Sequence, residues 1–138
     1  MNPLLPALGI TLLVAGTLLF WAAIQNWAAD LINRYAEQLG RAAYVLQSGL
    51  IVLDRVIVTG QRVIVATLRL FYTPQQRGDS PVVVEELREV RPQDLPADVR
   101  ERLERDEIME YELSIGSMTI REKTKPNVTY RVAVRRAE

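Results

Sequence analysis

Residues 35–69 read YAEQLGR-AAYVLQS-GLIVLDR-VIVTGQR-VIVATLR, five blocks of seven residues of which four end in arginine. Only Ser48 interrupts the series, whose arginines are Arg34, Arg41, Arg55, Arg62 and Arg69. A seven-residue repeat has a geometric meaning in an α-helix, because there it stacks side chains into a stripe that drifts only about 20° per heptad. The fold therefore depends on whether this stretch is helical.

The helical interpretation predicts an amphipathic stalk over residues 30–72, because the apolar residues of the repeat form neighbouring rows on one face. Its polar stripe consists of Arg55, Arg62, Arg69 and Asp54, and Asp54 is placed to pair with an arginine of a neighbouring copy. An alternative remains open for residues 50–72. They are rich in Val, Ile and Thr, which favour strands, and Thr59-Gly60-Gln61 suits the tip of a β-hairpin. A hairpin would remove the stripe.

The chain before Asp30 has no charged side chain, and residues 3–24 contain only two threonines as polar side chains. A run of about 20 apolar residues is long enough for a bilayer, and no basic start marks a cleaved signal peptide. The sequence therefore predicts a transmembrane anchor over 1–29. Arginine follows the span and does not precede it, which predicts that the N-terminus lies outside and the rest of the chain in the cytoplasm. The predicted location is a prokaryotic inner membrane. The predicted membrane-interface residues are Trp21, Trp27, Arg34 and Arg41.

The pattern changes after a break at 73–80, where two prolines in 73–81, a glycine and polar residues indicate a linker. Residues 81–138 predict a small α+β domain with a mostly antiparallel sheet. Its predicted elements are a strand at 81–90, a short helix within 93–107 capped by Asp94, and strands at 108–114, 118–123 and 127–136. The predicted fold class is thus a membrane-anchored α+β chain with a transmembrane helix, a long amphipathic helix and this domain.

Charges alternate with apolar residues in the predicted strands of this domain. Glu110 and Glu112 are suited to cross-strand ion pairs with the basic residues of the following strands. Those basic residues also define a candidate contact for an anion or a partner, although pairing within the sheet is the simpler interpretation. The candidate contact comprises Lys123, Lys125, Arg131 and Arg135.

Composition excludes much of catalytic chemistry. The chain has no cysteine and no histidine, so disulfides, thiolate sites and imidazole general bases are excluded. Residues 78–138 carry eleven basic against fourteen acidic side chains, a balance unsuited to gripping nucleic acid. No phosphate-binding glycine loop is present, and the acidic runs around Glu85 and Glu104 are typical of solvated surface. The sequence therefore predicts neither an enzyme nor a cofactor.

The function that these features predict is structural. A membrane-anchored interaction protein would form homo-oligomers, or join a larger membrane complex, through its stalk and its small domain, with the bilayer as a second partner. The alternative is a membrane effector, switched by a ligand or partner, whose helices assemble into a pore lined by the arginine stripe. A small-molecule ligand is left open.

Overall fold

The computed structural model describes residues 11–13, 19–76 and 78–123, which fold into a six-stranded sheet and two α-helices. The order of the strands across the sheet is β1-β4-β3-β2-β5-β6. The elements in chain order are β1 (Thr11–Leu13), α1 (Phe20–Arg41), β2 (Tyr44–Val58), β3 (Gln61–Pro74), β4 (Val82–Val90), a 3-10 turn (Pro92–Asp94), α2 (Ala97–Glu104), β5 (Met109–Ser114) and β6 (Thr119–Glu122).

The heptad region is mostly a long β-hairpin. Thr59 and Gly60 form its two-residue turn, with φ angles of 52° and 79°. Positive φ at both central residues gives the turn a twist that matches the right-handed twist of paired strands. β2 and β3 pair from Val58↔Gln61 outward, with one irregularity between Leu46 and Ser48. The hairpin alternative is therefore confirmed, and the predicted amphipathic helix over 30–72 is wrong beyond Arg41.

The predicted transmembrane anchor over 1–29 is also wrong. Part of it forms β1, which pairs in parallel with residues 88–90, and part forms the first turns of α1. Among the residues that the structure describes, no helix combines the length and apolarity needed to cross a bilayer. The physical reason is that the apolar side chains of α1 form one stripe, which lies on the sheet. The anchor was the basis for predicting a single-pass topology, its orientation and a contact with the bilayer. These predictions are therefore no longer supported.

The core lies between the helices and one face of the curled sheet. Every described strand pair except β1–β4 is antiparallel, so side chains directly opposite each other share a face. This register aligns Ile51, Leu68 and Tyr111 on the face that carries the helices. The fully buried side chains of the core include Phe20, Ile24, Leu31, Ile51, Leu53, Leu68, Leu70, Val90, Leu95, Leu103, Met109 and Leu113. Each contributes about 1.5–3 kcal/mol by leaving water.

The C-terminal half follows its sequence pattern closely. Strands occupy the predicted positions at β4, β5 and β6, whereas the predicted strand at 127–136 lies outside the described residues. Strands from both sides of the predicted linker pair in one sheet. The prediction that Asp94 caps the short helix is wrong. Pro96 holds the N-cap position, and Asp94 instead accepts a hydrogen bond of 2.7 Å from Arg91 Nε within its own turn.

Two glycines should respond in opposite ways to an added side chain. A Cβ at Gly49 would lie 3.0 Å from Leu113 Cδ2, whereas nothing lies within 4 Å of one at Gly40 in α1. We expect Gly49→Val to destabilise the fold by about 1–3 kcal/mol through overpacking. Gly40→Ala, the control, should stabilise it by about 0.5–1 kcal/mol because glycine is a poor helix former. Urea denaturation measures both values, and equal effects at the two sites would contradict the described packing.

Candidate functional site

The predicted membrane-interface residues belong instead to the junction between α1 and the sheet. Trp27 is buried, and its indole N–H donates a 2.6 Å hydrogen bond to Glu86 Oε1 of β4. Arg34 Nη2 donates to the same carboxylate at 2.9 Å. Trp21 packs edge to face on Tyr111, and Arg41 pairs with Glu37 on the exposed surface of the helix. These side chains contact protein, which accounts for their types without a membrane.

Glu86 is the centre of that junction. Burial alone would raise its pKa, but the hydrogen bonds from Trp27 and Arg34, with the charges of Arg34 and Arg88, outweigh burial and lower the pKa below its usual 4.5. The Arg88 guanidinium also lies 4.9 Å from the centroid of the Trp27 ring, within the range of a cation–π contact. Glu86 therefore binds α1 to β4 as an ionised carboxylate.

The predicted arginine stripe does not exist, because the hairpin distributes its members over both faces of the sheet. Arg55 and Arg62 lie on the side of the sheet that carries the helices, and Arg55 Nη2 contacts Asp106 Oδ1 at 2.9 Å. Arg69 lies on the opposite side and contacts Glu85 of β4 at 2.6 Å. Asp54 is on that opposite side too, in register with Val65. These four residues share no surface, so they form no common site.

The basic residues proposed as an anion or partner contact are only partly described. Lys123 Nζ lies 3.7 Å from Glu110, and Arg121 lies 3.6 Å from Glu112. The cross-strand ion pairs predicted from the alternation are thus confirmed for β5 and the end of β6. Lys125, Arg131 and Arg135 lie outside the described residues, so the contact itself stays a prediction.

The most distinctive surface is the outer edge of β4, which we define as the backbone of residues 82–87. β3 pairs with one side of β4 along its whole length, whereas β1 reaches only residues 88–90 on the other side. Among the described residues, no strand pairs with the outer edge of β4. Such an edge is a template for another strand, and many proteins protect it with lysine, proline or a bulge. The sequence of the edge is VVVEEL, which contains neither lysine nor proline.

Apolar side chains accompany this edge on the second face of the sheet, the face turned away from the helices. Val83 is 50 % exposed and Leu87 is 37 % exposed, and both point to the second face on either side of Glu85. The partly buried Phe71 lies opposite Val83 on β3. Within the described residues, the outer edge of β4 therefore combines unpaired backbone with exposed apolar side chains.

The acidic side chains of the described residues are not grouped into a metal site. Within 11–13, 19–76 and 78–123, no group of three or more acidic side chains is placed to hold a metal ion. Glu85 and Glu86 point to opposite faces of β4, so they do not form a carboxylate pair. Comparison of the chain with protein-family models, curated proteins and solved structures finds no match. The proposals for function therefore rest on the physical surfaces of this chain.

Sequence reasoning did not identify the outer edge of β4 as a site. Residues 81–90 were correctly predicted as a strand, but the order of strands in the sheet is not visible in a local pattern. The one available signal was the alternation of Val83, Glu85 and Leu87, because it places two apolar residues on the same face of the strand as Glu85. Their exposure depends on β4 lying near the margin of the sheet.

The Glu86 junction predicts a specific response to acid. Because folding lowers the pKa of Glu86, its carboxylate stabilises the fold at pH values above about 4.5, and this contribution is lost as the pH falls through the lower folded-state pKa. We expect Glu86→Gln to cost about 1–3 kcal/mol at neutral pH and to weaken the acid dependence of unfolding. Urea denaturation as a function of pH measures both effects.

Glu37→Gln is the matched control for this prediction. Glu37 also pairs with an arginine, but both side chains are more than 70 % exposed, so its loss should cost about 0–1 kcal/mol. The role assigned to Glu86 is contradicted if both variants have the same stability at neutral pH.

Proposed function

We propose that this chain is a non-catalytic interaction protein that forms a homodimer by antiparallel pairing of its β4 edge with the β4 edge of a second copy. The observation that carries the proposal is the outer edge of β4, whose backbone has no strand partner among the described residues. Pairing two such edges satisfies the exposed N–H and C=O groups and joins the two sheets into one.

The β4 edge is complementary to itself. A two-fold axis through Glu85 places Val83 opposite Leu87 of the second copy, and Leu87 opposite Val83. Both are exposed and both lie on the second face, so the axis creates two apolar cross-strand pairs. An isologous interface requires this property, since one patch must fit a rotated copy of itself. Self-complementarity favours a second copy over an unrelated strand.

The charges at the proposed axis are compensated within each copy. Two Glu85 side chains would face each other there, and like charges directly opposite destabilise a strand pair. Arg69 Nε contacts Glu85 Oε2 at 2.6 Å, so each glutamate reaches the axis already paired with a cation. In this proposal the role of Arg69 is to neutralise Glu85 at the two-fold axis, and this role does not depend on an arginine stripe along a helix.

Substitution of one edge residue tests the proposal. Leu87→Lys removes an apolar contact twice in a symmetric dimer, so we expect the dissociation constant of the dimer to rise by about tenfold or more. Light scattering over a dilution series measures this constant. Val45→Lys is the control, because Val45 has the same 37 % exposure on β2 and lies away from the β4 edge. It should change the constant by less than about twofold.

Hydrogen exchange distinguishes the possible occupants of the edge. The proposal requires that those amides in 82–87 that point away from β3 become protected on dimerisation and exchange freely in the diluted monomer. A monomer at every concentration whose edge amides are protected would show that the edge is covered within one chain. A dimer that Leu87→Lys leaves unchanged would place the interface elsewhere. Either result overturns the proposal.

A further inference from the structure

A second surface with binding character lies on the helix side of the sheet, away from the second face. A cavity of about 480 Å³ opens between the start of α1, the start of α2 and strands β5 and β6. Its volume falls in the range of small-molecule sites. Val99 and Ile120 supply apolar wall, and the polar and aromatic side chains lining it include Trp21, Gln25, Asp98, Tyr111 and Glu122.

The aromatic wall consists of Trp21 and Tyr111. Their ring centroids are 4.6 Å apart with an interplanar angle of 62°, an edge-to-face pair that fixes both rings. Tyr111 is only 5 % exposed and lines the cavity. Its hydroxyl has no hydrogen-bond partner among the described residues. Because Tyr111 lines the cavity, this hydroxyl is available to form a hydrogen bond with a molecule inside it.

The electrostatic character of the cavity is negative. Asp98 and Glu122 both line it, and Arg102 donates to Glu122 at 2.8 Å and also to Glu107 at 3.1 Å. Arg102 is thus shared between two carboxylates, whereas Asp98, in the first turn of α2, forms no ion pair with the described residues. Burial raises the pKa of the Tyr111 phenol and the charge of Glu122 raises it further, whereas the charge of Arg102 lowers it and Asp98 adds a smaller increase. The tyrosine hydroxyl therefore lies in the field of the same carboxylates.

We propose that this cavity binds a monovalent organic cation, an ammonium or guanidinium group on a short alkyl stem. The cationic N–H groups would donate to Asp98 and to the Tyr111 hydroxyl, both of which accept hydrogen bonds. The alkyl stem would lie against Val99 and Ile120, and the Trp21 ring offers its π surface to the charge. An anion is disfavoured by the two carboxylates in the lining, and a neutral alkyl group would form no hydrogen bond with Asp98 or with the Tyr111 hydroxyl.

Two sources provide this chemistry, a free alkylamine or a lysine or arginine side chain of a partner protein. The proposal does not depend on the β4 dimer, because the cavity is formed by α1, α2, β5 and β6 of one chain. Failure of one proposal therefore leaves the other intact. Leu87→Lys, which is designed to disrupt the dimer, should retain the binding of cations in the cavity.

Nuclear magnetic resonance titration of the full chain tests the cavity with defined probes. We expect n-butylammonium to shift the Trp21 indole resonance and the amides of Thr119 and Ile120, with an affinity on the order of millimolar. The neutral n-butanol has nearly the same shape and should bind about tenfold more weakly or not at all. This comparison uses the unaltered protein, so it does not depend on the folding of a variant.

Variants of α2 locate the charge that matters. Asp98→Asn should weaken n-butylammonium binding by about tenfold, because it removes the carboxylate that is not engaged by Arg102. Glu101→Gln is the control, since Glu101 lies on the same helix, is exposed and does not line the cavity. Equal binding of butanol and butylammonium, shifts that map elsewhere, or an unchanged affinity in Asp98→Asn would overturn the proposal.

A short peptide with a single lysine identifies the source of the cation. Affinity at least about tenfold above that of n-butylammonium would support the site and assign it to a partner's side chain, because only a peptide adds backbone contacts. Affinity equal to that of n-butylammonium would support the site and assign it to a free alkylamine. No binding of either probe would overturn the site.

Discussion

The two-residue turn at Thr59 and Gly60 is the constraint on which the rest of the structure depends. Both residues have positive φ, a conformation that glycine accepts readily and threonine does not. The turn fixes the register of β2 against β3, and in a strand a slip by one residue reverses the face of every side chain. The position of this turn therefore decides that Ile51, Leu53 and Leu68 enter the core.

The second determinant is the charged junction beneath α1. Glu86 lies on the helix-covered face of β4, where an unpaired carboxylate would be costly, and Trp27 and Arg34 of the helix provide its hydrogen bonds. This requirement positions α1 over β4 more specifically than apolar contact does. The second helix, α2, packs on the same side of the sheet through Val99 and Leu103. The second face and the outer edge of β4 are therefore not covered by either helix.

Local sequence patterns predicted the C-terminal half and failed in the first half for a physical reason. Strands β4, β5 and β6 alternate apolar and charged residues, a signal that needs no tertiary knowledge. In 44–74 apolar residues fall on both faces of the hairpin, as in the runs 50–53, 56–58 and 63–66, so the sequence does not show the alternation that burial shows at 49–53 and 66–72. The seven-residue spacing of arginine then imitated a helical repeat. The β-branched composition and the Thr59-Gly60 pair were the better evidence.

The anchor prediction failed for a related reason. A helix that packs on a sheet and a helix that crosses a bilayer both need apolar residues. The local sequence does not show whether the apolar side chains contact a sheet or lipid. Trp27 and Glu86 are 59 positions apart, so their contact was invisible to any local pattern. The same holds for the candidate sites. The β4 edge depends on strand order, and the cavity depends on two helices and two strands meeting.

The central claim, that residues 44–74 form a hairpin about Thr59 and Gly60, is tested most directly by engineered disulfides, since the chain has no cysteine. Ile57 and Arg62 are directly opposite in the hairpin, where a disulfide needs Cα atoms about 4.4–6.8 Å apart. In a helix the same atoms would be roughly 8–9 Å apart, whereas Ile57 and Gln61 would be neighbours one turn apart. The account predicts that the cysteine pair at 57 and 62 oxidises readily and that the pair at 57 and 61 does not. The opposite pattern would contradict the hairpin and the sheet built on it.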